Sequence, residues 1–417
     1  MNLEGFSTLT LLVGTNPLPN FVTTEYFLTT NTSLKTIILI YSEDNQKQSG
    51  TKKYVDNLQE LLKSRHGDKL DIKKVHLSDV GNAEKIQSDL KQLKEYLETN
   101  SSVHFNYTGG TKVMGIHVYR WLEQYANNNN IRISFSYLDA RKFCIVSDSG
   151  EISEDLREKV SLSIDEIIKL HGFKRKNDSQ DNIFKNAVEK FKEMIKENRI
   201  NNYFDSYKGF FRDEKNDLII KTNKMREKIQ KLKEEIKPQG AFLEIIKLLP
   251  EDYRPFNDDG SFNSKIDNKR FEKAAKFLDG EWLECFIYDL LNEKKGNESK
   301  ITVDMDWKIK KKSDDYDNEF QIDVVLVKGY QLIGISCTTS DKKALCKGKG
   351  FEIFMRTRQI AGEESRAILI TRLEEVKKIA VQQELEVDTG GKKNILVLGA
   401  EDFKNDNLIT QIEDYIQ

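Results

Sequence analysis

Proline, histidine, cysteine and tryptophan are all scarce, at 5, 5, 4 and 3 in 417 residues. The cysteines stand at 144, 285, 337 and 346 with no paired spacing, which argues against a disulfide framework. So few histidines and cysteines leave a zinc site little to draw on. Five prolines exclude a long proline-rich linker. No apolar run is long enough to span a bilayer, and the N-terminus shows no basic stretch followed by an apolar one. The expectation is a reduced, cytoplasmic protein with no membrane segment. Charge of one sign is also lacking. Lys and Arg total 66 against 68 Asp and Glu, so any basic surface for a nucleic acid must be local. Hydrophobic residues make up 38%, enough for a core in each of the two or three domains that this length suggests.

The most informative stretch is 101–121, SSVHFNYTGGTKVMGIHVYRW. Val103, Phe105 and Tyr107 alternate with His104 and Asn106, the period of a strand. Thr108, Gly109 and Gly110 break that period, and from Lys112 the apolar spacing becomes helical. Two glycines at a strand-to-helix junction let the backbone approach a ligand closely. The helix start then offers free N–H groups and a dipole that favours an anion. Thr108, Thr111 and Lys112 add hydroxyls and a cation, so the stretch suits a phosphate. An ordinary strand-to-helix turn accounts equally well for the residue types alone.

Around it, the chain alternates strands and helices. Strands are expected at 7–14, 36–42, 70–78 and twice within 131–147, with helices at about 21–28, 50–64 and 82–98. Asn20 is a plausible cap for the first helix. This alternation predicts a parallel sheet covered on both faces, with ligands at the C-terminal strand ends. The loop Thr15–Asn20 and the turn 108–112 should share that edge. No G-x-G-x-x-G follows the first strand, which argues against a generic dinucleotide-binding enzyme. Residues 161–262 read as a helical linker, with a short coiled-coil-like seam at Met225, Ile229, Leu232 and Ile236. From 263 a helix at about 269–292 leads to a strand at 300–311 and a hairpin turning at Lys328-Gly329. A helix over about 343–361 follows, then strand, helix, strand and helix.

With these pieces placed, residues 1–160 resemble a CARF domain, the cyclic-oligoadenylate sensor of type III CRISPR systems. GTNPLPN at 14–20 and TGGTK at 108–112 carry that resemblance. Residues 263–417 are similar to the PD-(D/E)xK nuclease domain fused to CARF in CRISPR ancillary effectors, through GEWLE at 280–284 and QIDVVLVKGYQLIGIS at 321–336. The resemblance implies an α/β chain: a Rossmann-like sensor, a helical linker and a restriction-endonuclease-like effector. It implies a homodimer that binds cyclic tetra-adenylate through Thr15, Asn16, Thr108, Gly109, Gly110, Thr111 and Lys112. It also implies cleavage of DNA or RNA with Mg²⁺ or Mn²⁺ held by Asp323 and Glu284.

One departure stands out. The motif asks for an acid and a lysine, E-x-K, on the strand after Asp323, and the sequence offers Gly334-Ile335-Ser336 there. Glu319 could replace the acid, and Lys347, or its neighbours Lys342, Lys343 and Lys349, could replace the lysine. The set with Arg356, Arg358 and Arg366 is either a solvated face or a contact for a phosphate backbone. Three functions stay open: a messenger-gated nuclease, a sensor with an inactive nuclease-like domain that binds nucleic acid or protein, and a ring nuclease acting on its own messenger.

Overall fold

The computed structural model describes residues 5–44, 49–97, 102–176, 182–208, 210–212, 237–294, 300–311, 319–404 and 407–417. The seam at Met225–Ile236 lies outside the described residues.

The first sheet holds β1 (Thr8–Leu12), β2 (Thr36–Ser42), β3 (Asp71–Leu77), β4 (Ser102–Asn106), β5 (Arg132–Asp139) and β6 (Cys144–Ser147). Their order is β3-β2-β1-β4-β5-β6, parallel except for the antiparallel β5–β6 edge. β1, Thr-Leu-Thr-Leu-Leu, is buried at every position, as a central strand covered on both faces must be. The chain runs outward from β1 through β2 and β3, then returns to β4 on the other side. That reversal puts a crevice beyond the C-terminal ends of β1 and β4. The first helix spans Leu18–Thr30, starting earlier than the periodicity suggested. Asn20 does not cap it. Asn20 is buried and donates to Leu12 O at 3.1 Å, because Pro17 and Pro19 already set the helix start.

The second sheet holds β7 (Phe173–Arg175), β8 (Ile301–Lys311), β9 (Glu319–Lys328), β10 (Gln331–Cys337), β11 (Arg366–Ile370) and β12 (Ile395–Leu398), in the order β12-β11-β10-β9-β8-β7. β10, β11 and β12 are parallel, and β7 to β10 form an antiparallel run. The stretch expected as a helical linker therefore carries one strand of this sheet, β7. Its helices Lys185–Lys196, Ile200–Tyr207 and Gly240–Leu248 pack with Trp282, Val324 and Ile335 in the core of the second sheet. The fold is thus two α/β sheets with a helical layer on the second.

One core runs through both halves. It takes Leu9, Phe21 and Leu39 from the first sheet, passes through Ile164, Ile167 and Phe173, and continues into Ile322, Leu332 and Ile353. The halves are joined by buried apolar surface, which favours concerted over independent motion.

Candidate functional site

At the crevice of the first sheet the two predicted loops meet. A Cβ on Gly14 would lie 2.8 Å from Gly110 N, and one on Gly109 would lie 2.1 Å from Leu12 O. Gly110 has φ +74°. Only glycine fits this contact. Thr111 caps the helix Lys112–Asn129, accepting from Met114 N at 3.2 Å. Thr108 Oγ1 donates to Asn106 Oδ1 and accepts from Leu138 N. Both hydroxyls thus shape the turn. Thr15, Gly110, Thr111 and Lys112 are exposed on the crevice edge.

Asn16 turns toward the second domain. Its Nδ2 donates to Glu364 Oε2 at 2.8 Å, and its Oδ1 lies 3.0 Å from His171 Nε2 and accepts from Leu18 N. Gly362 packs so closely on Asn16 that a Cβ there would be 2.3 Å from Nδ2. Sequence reading places Asn16 at the ligand; in the structure its side chain bonds Glu364 and His171 in a contact between domains. Burial pushes the Glu364 carboxyl up to about 7 and the His171 ring down to about 4. The unfolded chain releases the Glu364 proton near the ordinary Glu pKa, so the folded chain holds it more tightly. Stability from that proton is complete below the unfolded pKa and is lost as pH rises toward about 7. Glu364→Gln, which keeps a carbonyl acceptor for Asn16, should leave the melting temperature near wild type at low pH. Above neutrality it should raise stability, by up to roughly 3 kcal/mol. Equal melting temperatures across thermal scans at acidic and alkaline pH would refute this.

The second cluster lies on the second sheet. The helix expected at 269–292 is two helices, Asn268–Lys276 and Trp282–Lys294, joined by a widened turn at Phe277–Glu281. Asp279 fixes that turn by accepting from Tyr207 Oη at 2.5 Å and Arg212 Nε at 2.8 Å. Thr339 Oγ1 donates to Asp279 O. This anchor positions Glu284, in the first turn of the following helix.

Asp323 Oδ2 accepts from Ser336 Oγ at 3.1 Å and Cys337 N at 2.8 Å. The β9–β10 register pairs Ile335 with Val324, so Ser336 is the residue opposite Asp323. The position of the missing acid is therefore Ser336, and the lysine position two residues on is Thr338. Gly334, where the sequence reading began the motif, is a packing position. A Cβ there would come 2.1 Å from Thr357 Oγ1.

Glu284 and Asp323 are half-buried. Burial, then the Asp323 charge, then Glu281 hold the Glu284 carboxyl well above the ordinary carboxylate range. Asp323 is also raised, chiefly by burial, although the Cys337 N–H and the Lys349 charge pull the other way. Lys349 is the cation that acts on both carboxyls. Lys347 sits elsewhere on the helix Lys343–Ala361, paired with Glu384 at 3.1 Å and Asp388 at 3.0 Å. Residues two apart on a helix lie about 200° apart around its axis. Glu319 pairs with Lys176, and Arg356 and Arg358 pair with Glu352 and Glu363. Arg366 donates to Tyr415 O. Most of the expected basic set is thus engaged within the fold.

Glu284 lines a cleft of about 520 Å³, with Glu281 and Asp306 beside it. Asp306 has φ +52° and faces Asp323 between the Met305–Val324 and Trp307–Ile322 pairs. Sequence reading missed Glu281 and Asp306. Asp306 had as its signal only acid alternating with apolar residues along 303–307, and Glu281 stood unremarked inside GEWLE. Among the described residues, no three carboxylate, histidine or cysteine groups converge closely enough to hold a metal alone. None of the described helices is long and apolar enough to cross a membrane.

A Rossmann-like domain with a glycine turn at its switch point, joined to a mixed sheet bearing a half-buried acid pair, is the layout expected of a sensor fused to a nuclease-like effector. Residues 8–167 match the family of the Card1 CARF domain, and residues 271–394 match the Card1-like endonuclease domain. The chain is a Card1-type CARF domain fused to a Card1-like endonuclease domain. Among solved structures, protein VC1899 from Vibrio cholerae aligns with a TM-score of 0.69 at 15% identity, over 98% of each chain. Can2 from Sulfobacillus thermosulfidooxidans, in complex with cyclic tetra-adenylate, aligns with a TM-score of 0.62 at 16% identity, over 99% of this chain and 97% of that one. At these identities the likeness concerns the fold. No curated protein matches the chain.

Proposed function

We propose that the protein is a type III CRISPR effector that binds a cyclic oligoadenylate, cyclic tetra-adenylate first among the candidates. In response it cleaves nucleic acid by metal-dependent phosphodiester hydrolysis. One arrangement supports the reading: Asp323 is fixed on β9 by Ser336 and the Cys337 N–H, and Glu284 lines the cleft close enough that the Asp323 charge raises its carboxyl, with the Lys349 charge acting on both. Two acids forced together in a half-buried site are ones that a divalent cation would relieve. Mg²⁺ is commonly bound through one or two carboxylates, with waters and substrate phosphates completing its shell, so this pair fits it or Mn²⁺. When bound, the ion supplies Lewis-acid polarisation of the phosphate and an activated water. In this reading Asp323 is oriented by Ser336 and the Cys337 N–H, Glu284 faces the cleft, and Lys349 offsets charge developing on the phosphate.

The sensor should act as a homodimer, with one ring gripped by two copies of the crevice. Val113 and Ile116, 45% and 65% exposed next to Lys112, suit a contact between copies. The clean probe of the crevice is Lys112, since Thr108 and Thr111 also hold the turn. Lys112→Ala should weaken ring binding by on the order of 1.5–3 kcal/mol, the range for a hydrogen bond to a charged group. Calorimetry on the folded variant that returns wild-type affinity would remove Lys112 from the site.

A second reading has its own observation. Ser336 stands where the motif needs an acid, which favours a domain that binds without cutting. Purified protein should be incubated with plasmid, single-stranded DNA and RNA under Mg²⁺ or Mn²⁺, with and without cyclic tetra-adenylate. Cleavage that depends on the ring supports the nuclease. Binding without cleavage under either metal supports the second reading.

A further inference from the structure

The cleft in front of Glu284 is rimmed by Lys269, Lys273, Lys276 and Lys308, none of which belongs to the basic set expected from sequence. The first three stand on the helix Asn268–Lys276 at spacings of four and three, so they share one face. Phe271, Ala274 and Ala275 occupy the other face and are buried. The lysine row spans about 10 Å along the helix axis. Rise per nucleotide on one strand of B-form DNA is about 3.4 Å, so the row matches roughly three phosphates. Lys308 approaches from β8, beside Asp306. Lys276 pairs with Glu272 along the helix at 2.7 Å, both being well exposed. Such a pair is weak and exchanges readily for a phosphate partner.

We infer that Lys269, Lys273, Lys276 and Lys308 form the track that holds the sugar–phosphate backbone of the strand to be cut and leads it to Glu284 and Asp323. The inference rests on the nuclease reading and deepens it by naming the substrate-binding surface. A point-charge ammonium row grips phosphates without reading bases, so the track confers affinity and register and leaves sequence unread. The competing role for these lysines is local neutralisation of Glu272 and Glu281, whose carboxylates they neighbour.

The test measures binding of labelled single-stranded DNA, duplex DNA and RNA to the full-length Asp323→Asn protein with cyclic tetra-adenylate, at several salt concentrations. Each lost phosphate contact lowers the slope of log affinity against log salt by about 0.7–0.9. Lys269→Gln/Lys273→Gln/Lys276→Gln should lower it by about 2 on the preferred nucleic acid and weaken binding across sequences alike. Lys52→Gln/Lys53→Gln/Lys63→Gln removes the same charge from a helix of the first domain and should leave the slope unchanged. A triple variant that melts like its parent yet keeps the parental slope overturns the track. Equal loss in the control overturns it too, since net charge alone would then explain binding. If the wild-type protein cleaves and the slope is unmoved, only the track fails. If no nucleic acid binds, the nuclease reading falls with it.

Discussion

Asp323→Ala should abolish messenger-stimulated cleavage, lowering the rate by about a thousandfold or more. Polarisation by a correctly held cation contributes several kcal/mol at the transition state, and each 1.36 kcal/mol is a factor of ten. Asp323 is the acid anchored by both a backbone N–H and a hydroxyl on the neighbouring strand, so no nearby group can take over its geometry. Glu284→Gln should fall in the same range, because Glu284 lines the cleft and its carboxyl feels the Asp323 charge. Stability should move the other way. Both carboxyls are raised, Glu284 strongly, so holding them ionised together costs the fold free energy. Asp323→Asn should therefore melt no lower than wild type, and its advantage should grow as pH rises through the range where Glu284 ionises. Mn²⁺ should raise the melting temperature of the wild-type protein and leave Asp323→Asn unmoved, since a ligand that binds only the native site stabilises by mass action. Cleavage that survives Asp323→Ala would put the chemistry elsewhere. An identical Mn²⁺ shift in both proteins would separate the metal from this acid.

The sensor half was legible because its signals are local. A strand, two glycines and a helix start within ten residues identify the turn at 108–112 and the sheet edge that carries it. The effector half was legible in its strands and in Asp323 and Glu284, whose neighbours Val324, Val325, Trp282 and Leu283 have clear burial patterns. Four features were not legible, each for a nonlocal reason. Ser336 as the partner of Asp323 depends on register across a hairpin, and a shift of two residues in sequence preserves every alternation. Lys349 rather than Lys347 depends on which side of a helix meets the sheet, and neighbouring charges cannot reveal it. The bond from Asn16 to Glu364 joins residues 348 apart, from a loop whose composition suited a ligand equally well. β7 is three residues long and becomes a strand only because β8 offers it an edge.

The second large effect expected is on stability. Arg157→Ala should destabilise the native protein by about 3–5 kcal/mol, since it leaves two buried acceptors without a donor, at about 1–3 kcal/mol each, and breaks a half-exposed ion pair to Asp155. Arg157 is 3% exposed and bonds in every direction. Its Nε and Nη2 grip the Asp155 carboxylate, with Nη2 at 2.7 Å from Oδ2. Nη1 reaches Gln331 Oε1 and Ile416 O, both at 3.0 Å, and Nη2 also reaches Gln417 O. The guanidinium lies over the Phe143 ring at 4.0 Å. Gln331 passes the connection on by donating to Glu364 O. At the adjoining hairpin turn, Gly329 has φ +61°, and a Cβ there would sit 2.2 Å from Arg157 O. The end of the sensor domain, the β9–β10 turn and the last helix are therefore fastened by one side chain. Removing it strands a buried amide oxygen and a backbone carbonyl that water cannot easily reach. Arg157→Lys should recover little, because an ammonium cannot reproduce the two-pronged grip on Asp155 or the stack on Phe143. Hydrogen exchange should rise first in β9 and β10, the strands that carry Asp323 and Ser336, so cleavage should weaken even at temperatures where the chain stays folded. A denaturation midpoint for Arg157→Ala within about 1 kcal/mol of wild type, with β9 and β10 still protected, would show that the clamp is dispensable and that the shared apolar core alone holds the two domains in place.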